Sequence, residues 1–393
     1  MNKELLLPEI QRWIVENTNS DAGKLAFSKN PFPQIEYREL LHQVATRAKA
    51  KHKLPTWFAN EQVIFPSKIS LEQTSSEQTA EYKSNLVSGE KLIDLTGGFG
   101  VDDLYFSKKV TSVVHCEMNA ELSQIAAHNF EVLKAENINC ESGNSEEILR
   151  KSDADFDWIY VDPSRRNDDK GKVFMLVDCL PNVPESLDFY FSKSDNILVK
   201  TAPLLDISAG LKELRNVAEI HIVALENEVK ELLFLLRKGF ESDIQVKCVN
   251  LLKDKIQTFE FFASEIEIES RFSEPKKFLY EPNSSIYKSG AFDLVGRRFG
   301  LEKLDRHSHL YTSDELVSEF PGRIFEVGKV IAYGKSEMKE NLHGKKANVS
   351  VRNFPESVEK LRAKWKIQDG GSLYTFFTTV NSKDKIVLLC AKI

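Results

Sequence analysis

Asp94-Leu-Thr-Gly-Gly-Phe-Gly100 directly follows a short apolar run and opens a helical stretch. Two further groups sit at the distances that alternating strands and helices would set. Glu117 ends the apolar run Thr111–Cys116, and Asp162-Pro163-Ser164-Arg165-Arg166 ends the run Trp158–Val161. A carboxylate at a strand end, followed by a glycine-rich turn, lets the main chain approach a nucleoside ligand closely. Read together, the three predict a pocket for S-adenosylmethionine with a reactive edge beside it.

Within that pocket Asp94 is expected to orient the loop, while Gly98 and Gly100 let the backbone pass close to the ligand. The turn by itself suits a nicotinamide cofactor equally. A dinucleotide fingerprint would need its third glycine at 103, where Asp103 stands. An acid there is a poor neighbour for a pyrophosphate but tolerable beside an ammonium and a sulfonium. Thr96 replaces the first glycine common in methyltransferases, and its hydroxyl is within reach of a ligand. Glu117, 17 residues after Gly100, stands where a carboxylate accepts both ribose hydroxyls. Each such charge-assisted bond is worth about 1.5–3 kcal/mol. Met118 is placed to pack on the adenine, and Asn144 to bond its amino group, although Gly143-Asn144 is also a good turn.

The candidate catalytic residues are Asp162, Pro163, Ser164 and Arg165. A strand-end Asp-Pro presents a carboxylate and a stiff carbonyl that can hold an amine or ring N–H with its lone pair towards an electrophile. Methyl transfer from a sulfonium is an in-line displacement, so positioning supplies much of the rate and no metal is required. Asp162 can also take the proton. Arg165 and Arg166 suit a phosphate or a stacked base. Lys200, at the end of the fifth strand, is placed either to line the same crevice or to snorkel into solvent. His307-x-His309 has no third ligand nearby in sequence and reads as a pair of surface histidines. Gly296-Arg-Arg-Phe-Gly300 has the mixture of RNA-binding loops, and equally that of a plain basic turn.

These residues need a scaffold of strand ends. Strands are predicted at 91–95, 111–116, 137–142, 157–161 and 196–201, with an amphipathic helix over 120–133 between the second and third. Such β-α-β units with continuous apolar strands imply a parallel sheet covered on both faces. Glu219–Leu225 and Val229–Leu236 are separated by only Glu226-Asn-Glu228, which predicts a hairpin. An antiparallel hairpin closing a parallel sheet is the habit of class I methyltransferases. Residues 1–90 read as mostly helical, including one capped helix over 70–82 with Ser76 and Thr79 as caps or ligand contacts. Two more strands are expected within 244–263, and 270–277 reads as a linker. The end reads as strand 348–354, helix 355–366, strand 372–380 and strand 386–391, half or more of a ferredoxin-like domain.

The 393 residues are 41% hydrophobic and 28% charged, the composition of an ordinary globular protein. No apolar stretch approaches the roughly 20 residues that span a bilayer. Met1–Ile10 is interrupted by acids and a proline, so no signal peptide is expected there. Five scattered cysteines without a C-x-x-C pair argue against disulfides and zinc ribbons, and predict a cytoplasmic protein. The net charge of −6 is uneven: residues 271–393 hold 22 Lys+Arg against 15 Asp+Glu, and residues 1–270 hold 31 against 44. The basic end is expected to meet a polyanion.

With these residues in hand, the chain resembles bacterial class I S-adenosylmethionine-dependent methyltransferases that carry a C-terminal THUMP-like domain. The resemblance covers most of the chain. It rests on the strings 70–80, Asp94–Asp102 and Asp162–Arg166, and further on Tyr280–Ala291, His309–Ser313, Arg352-Asn-Phe-Pro355 and Asp369-Gly-Gly371. It implies an α/β chain: a helical region (1–90), a Rossmann-like methyltransferase domain (91–269), a small ferredoxin-like domain (270–320) and a THUMP-like domain (321–393). THUMP domains proper belong to tRNA- and rRNA-modifying enzymes, so the resemblance implies RNA as substrate. Amino-methylating relatives usually show Asp/Asn-Pro-Pro-aromatic, and here Ser164 and Arg165 replace the last two. Carbon methylation through a cysteine would place that cysteine after the next strand, where Thr201-Ala202-Pro203 stands. A base nitrogen is therefore the expected acceptor. A small-molecule or protein methyltransferase, and a non-catalytic RNA-binding protein with a vestigial cofactor fold, are the alternatives.

Overall fold

A computed structural model describes residues 1–165, 175–266 and 268–393, which divide into two compact units. Residues 1–218 and 232–241 form the first, and residues 219–231 and 242–393 the second.

The strands of the first half of the chain are β1 (Gly89–Asp94), β2 (Val110–Glu117), β3 (Ile138–Ser142), β4 (Trp158–Val161), the two-residue β5 (Ser164–Arg165) and β6 (Cys179–Leu180), and β7 (Asn196–Thr201). β8 (Val217–Leu225) and β9 (Glu228–Arg237) follow as a hairpin. In the first unit β3, β2, β1, β4 and β7 lie side by side in that order, all parallel. The end of β9 closes this sheet antiparallel to β7, from Thr201 opposite Leu232 to Asn196 opposite Arg237. Every residue of β4 is buried, as a strand covered on both faces requires. At the hairpin Glu226 and Asn227 both have positive φ, 48° and 65°, the sign pattern of a type I′ turn that matches strand twist.

The N-terminal region is helical. Its apolar side chains, among them Leu40, Val44, Trp57 and Phe65, share one core with Val101 and Leu104 of helix Val101–Phe106 and with Ile125 and Phe130 of helix Ala120–Val132. The single helix expected over 70–82 is two, Lys68–Gln73 and Glu77–Ser84. Between them the Ser75 hydroxyl donates to Asp102 Oδ2 at 2.9 Å, and Ser76 restarts the helix by accepting from the Thr79 amide at 3.2 Å.

In the second unit β10 (Gln245–Leu251) runs parallel to β8 and antiparallel to β11 (Ile256–Phe262). The remaining strands are β12 (Phe278–Pro282), β13 (Glu302–Lys303), β14 (Tyr311–Ser313), β15 (Gly322–Ala332), β16 (Lys346–Arg352), β17 (Gln368–Val380) and β18 (Asp384–Lys392). They form one sheet in the order β13-β14-β12-β15-β18-β17-β16. The expected strand–helix–strand–strand order at the end of the chain is present as β16, helix Val358–Trp365, β17 and β18. Ahead of it stand β15 and helix Lys335–Asn341, which complete a β-α-β-α-β-β unit. β12 pairs directly with β15, placing Glu281 opposite Arg323.

Candidate active site

The parallel strands bring their C-terminal ends to one edge of the sheet, where open α/β sheets bind ligands. Asp94 ends β1, Glu117 ends β2, Asn144 follows β3, Asp162 follows β4, and Lys200 is the penultimate residue of β7. The structure thus gathers Asp94, Thr96, Gly98, Glu117, Asn144 and Asp162 at neighbouring strand ends.

The glycine loop is anchored from below by Phe99. Its ring is 3% exposed and packs near Trp57 and Phe65, at centroid distances of 6.2 and 6.3 Å. Gly98 has φ +57° with only the Thr96 carbonyl oxygen near its missing Cβ, at 3.7 Å, so glycine is needed there for conformation. Gly100, at φ +80°, is needed for space as well: a Cβ would lie 2.2 Å from the Phe130 ring. Glu117 braces the loop from the next strand. Its carboxylate accepts from the Gly98 amide at 2.9 Å and from the Asn119 amide at 2.7 Å. Met118 is 68% exposed beside it. Asn144 caps helix Ser145–Lys151 through its side-chain oxygen, which accepts from the Glu147 amide at 3.0 Å.

Thr96 links the two motifs. Its hydroxyl donates to Asp94 Oδ1 at 3.0 Å and accepts from the Asp162 amide at 2.7 Å. The hydroxyl expected to face a ligand is therefore engaged within the protein, joining the end of β1 to the end of β4. Lys200 does not snorkel into solvent: its ammonium pairs with Asp162 Oδ2, its own side chain only 11% exposed. Asp162 itself is 34% exposed, and among the described residues no donor reaches its Oδ1. Pro163 is buried and Ser164 exposed, and β5 pairs Ser164 and Arg165 with Leu180 and Cys179. Arg166 lies outside the described residues.

Beneath the loop lies a buried charge network that the sequence did not reveal. Lys83 has no exposed side-chain surface, and its Nζ is 3.2 Å from both Asp102 Oδ1 and Ser75 Oγ. Tyr160 donates to Asp102 Oδ2 at 2.8 Å. Burial pushes the Asp102 carboxyl up, but Lys83, Lys200, Tyr160 and Ser75 outweigh it and hold the group below the usual carboxylate range. A lysine in the short helix Glu77–Ser84 carries no sequence mark of burial. The acids Asp102 and Asp103 were visible, but their partners were not.

Asp103 behaves in the opposite way. It is fully buried, and its Oδ2 is 2.6 Å from His115 Nδ1. Burial pushes Asp103 well above the usual carboxylate range, with Asp102 adding to the rise. Asp94 is pushed up by burial and by the neighbouring Asp103. His115 is pushed down by burial. A carboxyl whose pKa is higher folded than unfolded contributes stability at low pH and loses it as pH rises through the folded value. His115, with its lowered pKa, is neutral in both states from about pH 7.5 upward, a unit above the unperturbed imidazole. Hence above that pH Asp103→Asn is expected to become less destabilising relative to wild type as the pH rises. Thermal melts from about pH 7.5 to 9.5 should show the gap in Tm narrowing, at about 2–8 °C per kcal/mol. A gap that widens would contradict the raised pair.

Cys116 and Cys140, in the strands beside the loop, offer no ready thiolate. Burial pushes Cys140 up to about 12 and raises Cys116 as well. Among the described residues no group of three or more His, Cys, Asp or Glu side chains is arranged to hold a metal ion. His309 stacks on Phe292 at 3.6 Å, and burial with Lys303 and His307 lowers it to about 4. Arg298 of the Gly296–Gly300 string is ion-paired to Glu265 and donates to the Glu260 carbonyl at 2.7 Å. No helix among the described residues is long and apolar enough to cross a membrane.

Over 100% of its length the chain is 32% identical to a protein of Porphyromonas gingivalis W83, described as a putative methyltransferase. The match covers 98% of that protein, and the two structures superpose with a TM-score of 0.87. The chain belongs to that family. Family models for a ferredoxin-like domain and for a THUMP domain-like segment match residues 278–321 and 322–392. The family therefore joins a class I methyltransferase fold to ferredoxin-like and THUMP-like segments, as the resemblance implied. Comparison with curated proteins finds no match. Two other solved structures overlap in part. The tRNA (uracil-54, C5)-methyltransferase of Pyrococcus abyssi, with S-adenosyl-L-homocysteine, is 22% identical over 45% of this chain and 40% of its own, with a TM-score of 0.32. M. capricolum TrmK, with S-adenosyl-homocysteine, is 14% identical over 42% of this chain and 70% of its own, with a TM-score of 0.34. Scores this low give those two no weight in assigning an activity.

Proposed function

We propose that the chain transfers a methyl group from S-adenosylmethionine to a base nitrogen of structured RNA, with tRNA or rRNA as the substrate class. The observation that carries this reading is the placement of Asp162. Its half-buried carboxylate stands one strand from the glycine loop, its main-chain amide is tied to that loop through Thr96, and among the described residues no donor reaches its Oδ1.

The residues at the strand ends fit the cofactor. Gly98 offers open backbone, Glu117 offers a carboxylate to a ribose diol, and the exposed Met118 offers an apolar surface to an adenine. Asn144 stands at the next strand end, with its side-chain NH2 as a further polar group. When bound, S-adenosylmethionine supplies an electrophilic methyl on a sulfonium. The chain's own part is to present the acceptor. Lys200 holds the Asp162 carboxylate at Oδ2, and Oδ1 accepts a hydrogen bond from the acceptor N–H. The Pro163 carbonyl can take a second N–H, so the nitrogen lone pair is aimed rather than free to rotate. As the nitrogen–methyl bond forms, the methyl–sulfur bond would break with its electron pair retained by sulfur as a neutral thioether, and the acceptor proton passes to Asp162 Oδ1 or to water. Ser164 and Arg165 flank this edge in sequence, and the basic C-terminal third is available to the RNA.

The reading is tested by offering S-adenosylmethionine, labelled in the methyl group, to total RNA, a protein extract and small metabolites in separate reactions. The RNA should come from cells lacking the gene, so that the target site is unmodified. Label in RNA supports the reading. Label confined to protein or metabolites replaces it with a methyltransferase of another substrate class.

A further inference from the structure

Asp305 is 5% exposed, and its carboxylate ties three loops together. Oδ1 accepts from the His307 amide at 3.2 Å and from Asn353 Nδ2 at 3.1 Å, and Oδ2 accepts from the Ser382 amide at 2.8 Å. Thr379 Oγ1 adds a bond to the Asn353 carbonyl at 2.6 Å. Asn353, Asn381 and Ser382 all have positive φ, at 51°, 51° and 62°. Such backbone is uncommon outside glycine and persists where surrounding bonds over-determine it.

The loops held this way frame a cleft of about 800 Å³, lined by Arg306, His307, Asn353, Phe354, Lys383 and Lys385 among others. That volume falls in the range of roughly 300–1,000 Å³ typical of sites that enclose a small ligand. Arg306, Lys383 and Lys385 are exposed, and among the described residues none of them has a carboxylate at ion-pairing distance. Asp305 is the one acid of the lining, and its three donors already occupy it. Phe354 is half-buried and held edge-on by Tyr333 and Phe377, at centroid distances of 4.9 and 5.6 Å.

We propose that this cleft binds a single-stranded RNA segment, with backbone phosphates on Arg306, Lys383 and Lys385 and a base against Phe354. The proposal rests on the RNA reading above and gives it a specific place in the chain. Three cations that, among the described residues, have no carboxylate partner, around a cleft with an aromatic wall, are what a strand with unstacked bases can use. A duplex would engage the cations but could not bring a base to Phe354. An acidic peptide would likewise use the cations alone.

The test uses the full chain and a fluorescein-labelled, unstructured 12-nucleotide RNA, followed by anisotropy between 50 and 200 mM salt. The variant R306E/K383E/K385E is compared with K335E/K339E/K360E, which makes the same charge change at exposed lysines elsewhere in the THUMP-like segment. Matched melting curves show that each variant is folded. The cleft variant should bind at least about 30-fold more weakly, with a salt slope flatter by about 2, the amount that three lost phosphate contacts remove from single-strand binding. The control should stay within about threefold of wild type, because its charges lie outside the contact. Phe354→Leu should weaken binding about fivefold without changing the slope, since stacking is lost and no charge is. Equal losses in cleft and control variants, or displacement of the RNA by poly-glutamate as effective as by unlabelled RNA, would overturn the proposal. If wild type binds RNA and the cleft variant binds it equally well, the cleft is wrong and the RNA reading stands. If wild type binds S-adenosylmethionine but no RNA, the RNA reading itself fails and the cleft falls with it.

Discussion

Asp162→Asn is expected to lower the rate of methyl transfer by about 10²–10³-fold, the range associated with losing a positioned acid–base group or a charge at the reacting centre. The amide has nearly the same size as the carboxylate, and the Thr96 bond goes to the Asp162 main chain, so the loop should keep its shape. What is lost is the charge that pairs with Lys200 and the acceptor lobe at Oδ1. Affinity for S-adenosylmethionine should therefore change by less than about threefold, a loss confined to turnover being the mark of an interaction that matters at the transition state. Calorimetry of cofactor binding beside single-turnover transfer separates the two quantities. Equal losses in both would mean that Asp162 supports the cofactor pocket rather than the acceptor. Unchanged turnover would remove Asp162 from the chemistry.

The second large effect is on stability. Glu281→Ala should destabilise the second unit by about 1.5–3 kcal/mol, because it removes a buried carboxylate that accepts from two partly exposed arginines, each 35% exposed. The Glu281 side chain is 3% exposed and serves two arginines. Arg323, opposite it on β15, donates through Nε at 2.6 Å, and Arg352 on β16 approaches Oε1 to 2.5 Å. Arg352 is fixed further by its Nε bond to the Tyr287 hydroxyl at 3.1 Å, with its guanidinium 5.4 Å from that ring. One carboxylate in the ferredoxin-like segment thus gathers two arginines of the THUMP-like segment. Urea unfolding followed at 222 nm gives the measurement, and a loss below about 1 kcal/mol would place the pair among ordinary surface bridges.

That carboxylate illustrates what the sequence could and could not convey. Tyr280-Glu-Pro and Arg352-Asn-Phe-Pro stood out as unusual strings, yet nothing in either one showed that they meet. The parallel strands were legible because burial on both faces makes their apolar runs continuous. The β8–β9 hairpin was legible because only a tight turn fits between the two runs. β15 was not: its register shifts between Val327 and Lys329 in pairing with β18, so the alternation of inward and outward residues breaks midway. The helix read over 70–82 had helical composition throughout. The hydrogen bond from Ser75 to Asp102, a contact across 27 residues, accompanies its break, and Ser76, marked in the sequence as a possible cap, starts the second helix. At the site the strand-end acids were legible from their positions alone. Lys83 was not, nor was the pairing of Lys200 with Asp162, because a lysine in a sequence reads as solvated until a carboxylate is found beside it. The Asp94–Thr96–Asp162 link escaped notice for the same reason, being a contact between strand ends far apart in the chain.

Methylation of RNA at the strand-end crevice through Asp162 would leave a mark in the cell's own RNA. Its most direct test is quantitative mass spectrometry of nucleosides from tRNA and rRNA of cells lacking the gene, complemented with wild type or with Asp162→Asn. One base-methylated nucleoside should be missing without the gene, return with wild type, and stay missing with the variant expressed at the same level. If every methylated nucleoside is present in equal amount in all three strains, RNA is not the acceptor of this protein.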